Sequence, residues 1–155
     1  AVLRAARDRS LAACVLDSAF TDLRTVCAEF ADQAALPVPR LLVGAALEAV
    51  RGEVEARAGF DVCAVAPALA APRARCPALF ACARGDGLVR SHHAEDLRSA
   101  WGGQSSAVAF AGGHNDRRPD EFLDQAADFL AERLGAGAGR SAGEAPAPRG
   151  CGAAL

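Results

Sequence analysis

Two short glycine-rich segments carry side chains that suit acid–base chemistry. Asp86 lies in R-G-D-G-L-V, and His114 lies in A-G-G-H-N-D. A carboxylate that accepts the N–H of an imidazole fixes the ring's tautomer and stabilises the imidazolium, so that the other ring nitrogen can deprotonate a nucleophile. Each residue alone also has an ordinary interpretation, since Asp between glycines is typical of a turn and a lone His in a polar loop is usually a surface residue. Their order along the chain favours the catalytic interpretation.

Both residues follow a predicted buried strand. Short continuous apolar runs are typical of strands covered on both faces of a sheet, and they occur at 11–16, 78–83 and 107–110. The order along the chain is therefore strand, Asp86, helix, strand, His114, helix. Apolar strands separated by helices predict a parallel sheet, in which functional side chains collect at the carboxyl ends of the strands. We therefore expect Asp86 and His114 to lie close together at one edge of the sheet.

Helical segments fill the intervals between these strands. Residues 1–9 have the pattern of the end of a helix, and Thr21 is a suitable N-cap for the next helix. Pro37 and Pro39 interrupt the chain before a further helical stretch, which Gly59 ends. The remaining predicted helices are 92–101 and a last one that starts at Pro119.

The end of the sequence has a different composition from the rest. Residues 135–155 contain almost no large apolar side chains, so they cannot bury enough surface to offset the entropy lost on ordering. We predict one domain over 1–134 and a disordered, low-complexity tail over 135–155.

Charge and hydropathy exclude several classes of partner. The net charge is −2, and all 17 basic residues are Arg without a basic run, whereas nucleic-acid binding needs clustered cations. No apolar run approaches the roughly 20 residues of a membrane span. We therefore expect neither a nucleic-acid partner nor a transmembrane segment, and the composition leaves the oligomeric state open.

The cysteines and the first residue bear on redox state and processing. The six Cys form no C-x-x-C pair. Because the sequence begins with Ala1 and contains no Met, we expect a processed or truncated N-terminus with any targeting signal upstream. The cytoplasm is the favoured location. Five of the cysteines lie in apolar segments and are expected to be buried, reduced thiols: Cys14, Cys27, Cys63, Cys76 and Cys82.

His92 and His93 form a second group of chemically active side chains together with Asp96. His92 and Asp96 are four positions apart, so they share a helix face and are both able to contact a metal ion. Two ligands do not make a metal site. We predict neither a metal nor another cofactor and interpret these residues as the start of a helix and its solvated face.

Four segments carry a recognisable pattern in a fixed order. They are L-A-A-C-V-L-D-S-A-F-T-D-L at 11–23, R-A-G-F-D-V at 57–62, the block 76–97 with P-A-L-F and a His pair, and G-G-H-N-D-R-R-P at 112–119. Together they resemble α/β-hydrolases of the serine-aminopeptidase-like group of plants and protists. The corresponding segments there read V-L-D-S-P-F-S-D-L, R-A-G-F-D-I, P-A-L-F-I-H-G-x-x-D-x-x-V-x-x-x-H-H and G-D-H-N-S-x-R-P. The resemblance covers about 1–134.

The resemblance implies a fold and a role for each candidate residue. It implies a partial α/β-hydrolase fold with about three parallel strands, flanking helices and a helical cap segment over about 37–58. It also implies that Asp86 is the acid and His114 the base of a catalytic triad. Because the chain order in this fold is nucleophile, acid, histidine, these residues correspond to the C-terminal half of the domain.

The chain departs from the family in three places. Cys82 and Ala83 stand where the family has His-Gly, and Arg90 stands where it has Pro. No G-x-S-x-G occurs, although that motif places the nucleophilic Ser on a sharp strand-to-helix turn beside oxyanion-stabilising N–H groups. We expect the nucleophile within roughly 20 residues upstream of the chain, one strand–turn–helix step away. The serines that lack the motif's context include Ser18, Ser105 and Ser106.

The predicted function is that of a serine hydrolase that cleaves an ester, thioester or amide bond through an acyl-enzyme. Its substrate is expected to be a small molecule, an acyl compound or a peptide. The 155 residues alone are expected to be inactive, because the nucleophile and the oxyanion hole lie outside them. The alternative is a non-catalytic protein of the same fold that acts as a binding or interaction module, since a fold does not imply a function.

Overall fold

The computed structural model describes residues 1–33 and 40–135. Among the helices in these ranges, none combines the length and the apolar character needed to cross a membrane. The start of the predicted cap, 37–39, and nearly all of the predicted tail, 136–155, lie outside the described residues. In chain order the elements are α1 (Val2–Ala5), β1 (Cys14–Asp17), α2 (Leu23–Gln33), α3 (Arg40–Ala58), α4 (Pro67–Ala70), β2 (Ala78–Ala83), α5 (Ser91–Ala100), β3 (Ser105–Phe110) and α6 (Asp120–Arg133), with 3₁₀ turns at Val62–Ala64 and Ala71–Arg73.

The three strands form one parallel sheet in the order β1-β2-β3. Leu16 of β1 is in register with Phe80 of β2, which is in register with Ala107 of β3. The predicted parallel sheet is therefore confirmed, and β2 has the predicted bounds. β1 lies further along the chain than predicted and β3 begins earlier, because an apolar run does not mark where hydrogen bonding between strands starts and stops.

Helices cover both faces of the sheet. On one face Phe80 is fully buried and meets Trp101 edge to face at 5.4 Å between ring centroids. The indole Nε1–H of Trp101 donates to the carbonyl oxygen of Cys76 at 2.9 Å, which satisfies its polar group. On the other face Phe110 stacks on Phe122 of α6 at 4.8 Å. β2 is buried almost throughout because it lies between two strands and two helical layers.

Two of the helix ends lie where the sequence predicts them, and one does not. Gly59 follows α3 with a φ of +70°, a conformation that favours glycine, and α6 begins directly after Pro119. The prediction that Thr21 caps α2 is wrong. Asp22 precedes the helix directly, and its Oδ1 accepts the backbone N–H of Thr25 at 2.7 Å. Thr21 is therefore available for a different contact.

The described cysteines are free thiols, as predicted, but most are less buried than expected. Cys76 is buried, whereas the other four are only partly buried. Cys27, for example, faces a cavity beside α2. Burial and the Cys76 thiol, whose Sγ lies 3.9 Å away, raise the pKa of Cys14 to about 12 and hold it protonated.

Candidate active site

The Asp86 carboxylate is buried at the carboxyl end of β2 and is fully hydrogen-bonded. Its Oδ1 accepts the backbone N–H groups of Leu88 at 2.9 Å and of Val89 at 2.7 Å. Its Oδ2 accepts the Ser18 hydroxyl at 3.0 Å and contacts Nδ1 of His114 at 2.9 Å. Burial alone would raise the pKa of Asp86, but the hydrogen bonds from Val89, His114, Leu88 and Ser18 outweigh it and lower the pKa. The carboxylate is therefore ionised at neutral pH.

The His114 ring is oriented by that carboxylate. An ionised carboxylate only accepts hydrogen bonds, so the 2.9 Å contact assigns the donated proton to Nδ1. Nε2 is then the ring nitrogen that can take a proton from a nucleophile. The imidazole is 30% exposed, whereas the Asp86 side chain is fully buried. The predicted proximity of the two residues is confirmed; their catalytic roles stay a prediction.

Backbone contacts hold the two loops together. The N–H of Gly85 donates to the carbonyl oxygen of Gly112 at 2.9 Å. A Cβ at position 85 would lie 3.0 Å from the same oxygen, so the approach favours glycine there. Arg118 ties the His114 loop to the end of β1, since it donates to the carbonyl oxygen of Gly113 at 3.1 Å and to Asp17 Oδ2 at 2.6 Å. The Asp86–His114 geometry is thus set by the ends of all three strands.

Ser18 is a site residue that sequence reasoning did not select. It directly follows β1 and is the one non-glycine residue with positive φ among the described residues, at 50°. Its hydroxyl donates to the same Asp86 oxygen that His114 contacts. The signal that selected Asp86 and His114, a polar residue directly after a buried strand, also applies to Ser18. Such a residue supports the carboxylate through the hydrogen bond it donates.

Comparison with known proteins gives structural matches but no match in sequence. No protein-family model matches the chain, and no curated protein matches it in sequence. The structure is similar to that of an esterase from Pyrococcus furiosus, with a TM-score of 0.51 and 17% sequence identity. The match covers 88% of this chain and 48% of the esterase chain, so the chain spans about half the length of that protein. The chain has an α/β-hydrolase-like fold.

In this hydrolase-like fold, a cavity of about 890 Å³ opens beside His114. Apart from Ser18, Asp32 and His114, its lining is apolar. The helix α3, which belongs to the predicted cap segment, forms one wall, and α2 forms another. The α2 residues that line it are Leu23, Val26, Cys27, Phe30, Ala31 and Asp32.

The other two histidines of the hydrolase-like fold contact a different carboxylate. His92 and His93 at the start of α5 both lie against Glu29 of α2. His92 Nδ1 also lies 3.2 Å from Asp96 Oδ2, the contact that their spacing predicts. The sequence did not indicate Glu29, because only the packing of α2 on α5 brings it there.

The described part of the fold holds an acid and a histidine in the order found in α/β-hydrolases. The 155 residues contain no G-x-S-x-G motif. An oriented Asp–His pair can accept a proton from a hydroxyl and return it to a leaving group. The chemistry that such a pair supports is general acid–base catalysis.

Proposed function

We propose that the protein is a serine hydrolase of the serine-aminopeptidase-like group, with Asp86 as the acid and His114 as the base. The observation that carries the proposal is the 2.9 Å contact between Asp86 Oδ2 and His114 Nδ1. It joins a buried carboxylate to a partly exposed imidazole at the mouth of an apolar cavity. The four sequence segments that resemble the group support the same assignment.

In the proposed reaction, His114 Nε2 takes the proton of a serine hydroxyl as its oxygen attacks the acyl carbon. The Asp86 carboxylate stabilises the imidazolium that results. The imidazolium then protonates the leaving group, and an acyl-enzyme remains. Water attacks the acyl-enzyme with His114 again as the base, which releases the acid and restores the serine.

We propose that the serine belongs to a segment that precedes residue 1. The α/β-hydrolase order is nucleophile, acid, histidine, and no serine within the 155 residues has the G-x-S-x-G context. The groove along the first residues and β1 is where a preceding strand of the sheet would pair. In the proposed arrangement, residues 1–134 supply the acid, the base and the α2 and α3 walls of the acyl pocket, with 37–58 as part of the cap.

The cavity indicates the kind of acyl group. An apolar lining next to the base favours substrates whose acyl portion is apolar, because its burial is driven by the hydrophobic effect at about 25 cal/mol per Å². We therefore propose an ester, thioester or amide of an apolar acid as the preferred substrate.

The test uses the full-length protein and p-nitrophenyl esters of increasing acyl length. We expect kcat/KM to rise from the acetyl ester to longer esters, and His114→Ala to lower it by about 10⁴-fold. A fluorophosphonate probe should label one serine upstream of residue 1. Asp86→Asn should also lower kcat/KM, because it removes the carboxylate that orients His114. Its matched control is Asp124→Asn, which makes the same chemical change at an exposed position of α6 outside the site. Full activity in the His114→Ala protein would refute the proposal.

A non-catalytic binding module of the same fold is the second candidate, since a fold does not imply a function. The residue at the nucleophile position of the upstream segment separates the two. A Ser within G-x-S-x-G supports the hydrolase, and Gly or Ala at that position supports the binding module.

A further inference from the structure

Three side chains from two helices converge outside the Asp86–His114 site. Glu29 of α2 meets His92 and His93 of α5, and one ligand-type atom from each lies within 4.8 Å of the others. More than sixty residues separate Glu29 from the two histidines in sequence. The fold thus brings Glu29 and His93 together with His92, whereas the sequence pattern paired His92 with Asp96.

The donor atoms point toward a common centre. His92 Nε2 lies 2.7 Å from Glu29 Oε1, and His93 Nε2 lies 3.2 Å from Glu29 Oε2. Four ligands around Zn²⁺ at about 2.0–2.1 Å stand roughly 3.3 Å from one another. A small outward movement of the His92 ring would therefore let an ion replace the hydrogens that now link these atoms.

Each imidazole also has a partner on its other nitrogen. His92 Nδ1 contacts Asp96 Oδ2 at 3.2 Å, and His93 Nδ1 contacts Thr21 Oγ1 at 2.8 Å. Metal-bound histidines almost always donate their second N–H to a carboxylate, carbonyl or water, which fixes the ring and raises its basicity. The Thr21 backbone N–H donates to His93 Nδ1 at 3.3 Å, so binding of an ion at Nε2 would move the ring proton to Nδ1, where Thr21 Oγ1 would accept it.

Burial and charge define how an ion would enter. His93 is fully buried, the Glu29 side chain is 17% exposed, and His92 is 45% exposed. The group thus has a rigid inner side and an open outer side, which an entry path requires. The cation nearest to Glu29 is Arg90, with Nε 3.9 Å from Oε2, a long contact on a side chain that is 44% exposed. The arriving ion would displace it.

We propose that Glu29, His92 and His93 bind one Zn²⁺ ion, with a water molecule as the fourth ligand. Two imidazoles and one carboxylate form a ligand set that proteins use for zinc. The ion would join α2, which lines the cavity, to α5, which follows the Asp86 loop. Its role would be to fix one wall of the cavity relative to the acid.

The experiment measures zinc binding by the full-length protein after treatment with a chelator. Titration with zinc chloride against a chromophoric competitor should show that the wild type binds one more zinc ion per protein molecule than Glu29→Gln or His92→Gln does. His114→Gln is the matched control, since it removes the one histidine outside the cluster among the three in the chain. We expect His114→Gln to bind as many zinc ions as the wild type. Equal zinc binding in the wild type and both cluster variants would overturn the proposal.

Thermal melting and cobalt absorption of the wild type test the zinc site without any variant. Zinc should raise the melting temperature of the wild type, because an ion that binds only the folded state stabilises it. Co²⁺ bound to the wild type should show d–d absorption without thiolate-to-metal charge-transfer bands. Thiolate bands would assign the ion to cysteines, and no zinc-dependent shift in melting would show that the cluster holds no ion.

Discussion

Asp86 with His114, and Glu29 with His92 and His93, are built from the same kinds of side chain by different parts of the fold. The first pair follows two neighbouring parallel strands, so its members meet because the sheet aligns the strand ends. The second group depends on the packing of α2 against α5. The first leaves a ring nitrogen beside a cavity, whereas the second encloses His93 completely. Similar side chains thus suit proton transfer at the Asp86–His114 pair and helix packing at the Glu29 group.

The largest expected difference between the two groups is in activity. His114→Ala should lower kcat/KM by about 10⁴-fold, as the loss of a triad member does. The same change should alter the free energy of unfolding by less than about 1 kcal/mol, because the ring is partly exposed. Ester hydrolysis and urea denaturation of the same preparation measure both quantities. A large loss of stability with little loss of activity would reverse the interpretation of the pair.

The second prediction concerns the stability of the other group. In chelator, His93→Leu should lower the free energy of unfolding by about 2–4 kcal/mol, because it leaves the partly buried Thr21 and Glu29 without their hydrogen bonds to this fully buried ring. His92→Leu is the matched control and should cost less than about 1 kcal/mol, since that ring is 45% exposed. Urea denaturation monitored by Trp101 fluorescence compares them. Equal losses would show that burial does not distinguish the two histidines.

The third prediction concerns Ser18. Ser18→Ala removes a hydrogen bond to Asp86 Oδ2, and we expect kcat/KM to fall about tenfold, the equivalent of one hydrogen bond to a charged group. Ser18→Gly also lacks the hydroxyl but suits the φ of 50°, so it should lose the same activity and be more stable than the Ala variant by about 1 kcal/mol. Steady-state kinetics and thermal melting test both parts. Wild-type activity in both variants would remove Ser18 from the site.

The sequence was sufficient to predict the positions of candidate site residues that come shortly after a strand. The runs around 78–83 and 107–110 predicted the parallel sheet, and with it the proximity of Asp86 and His114. It was insufficient where the position depends on how helices pack, as at Glu29. The cap of α2 illustrates the same limit, since Thr21 and Asp22 are both good N-caps. The helix starts one residue later than predicted, and Thr21 contacts His93 instead.

The last prediction is that the two carboxylates differ in how their contribution to stability depends on pH. The pKa of Asp86 is lowered, since its hydrogen bonds outweigh the effect of burial. A depressed pKa stabilises the fold above the ordinary value of 3.8, and that stability is lost as the pH falls through the folded-state pKa. The free energy of unfolding of the wild type minus that of Asp86→Asn should therefore be level near neutral pH and decline only toward acid.

The corresponding difference in the free energy of unfolding between wild type and Glu29→Gln should decline toward both acidic and alkaline pH. The pKa of Glu29 is also lowered, because the contacts with His92 and His93 outweigh burial, so its contribution is lost in acid. The pKa of His92 is raised above 6.5, because the contacts with Asp96 and Glu29 together outweigh the opposing effect of burial. A raised His pKa stabilises the fold below 6.5, and that stability is lost as the pH rises through the folded-state value. Urea denaturation from acid to mildly alkaline pH in chelator, with wild type, Asp86→Asn and Glu29→Gln, measures both difference curves. Curves of the same shape would mean that His92 does not titrate against Glu29, and that the two groups differ only in position.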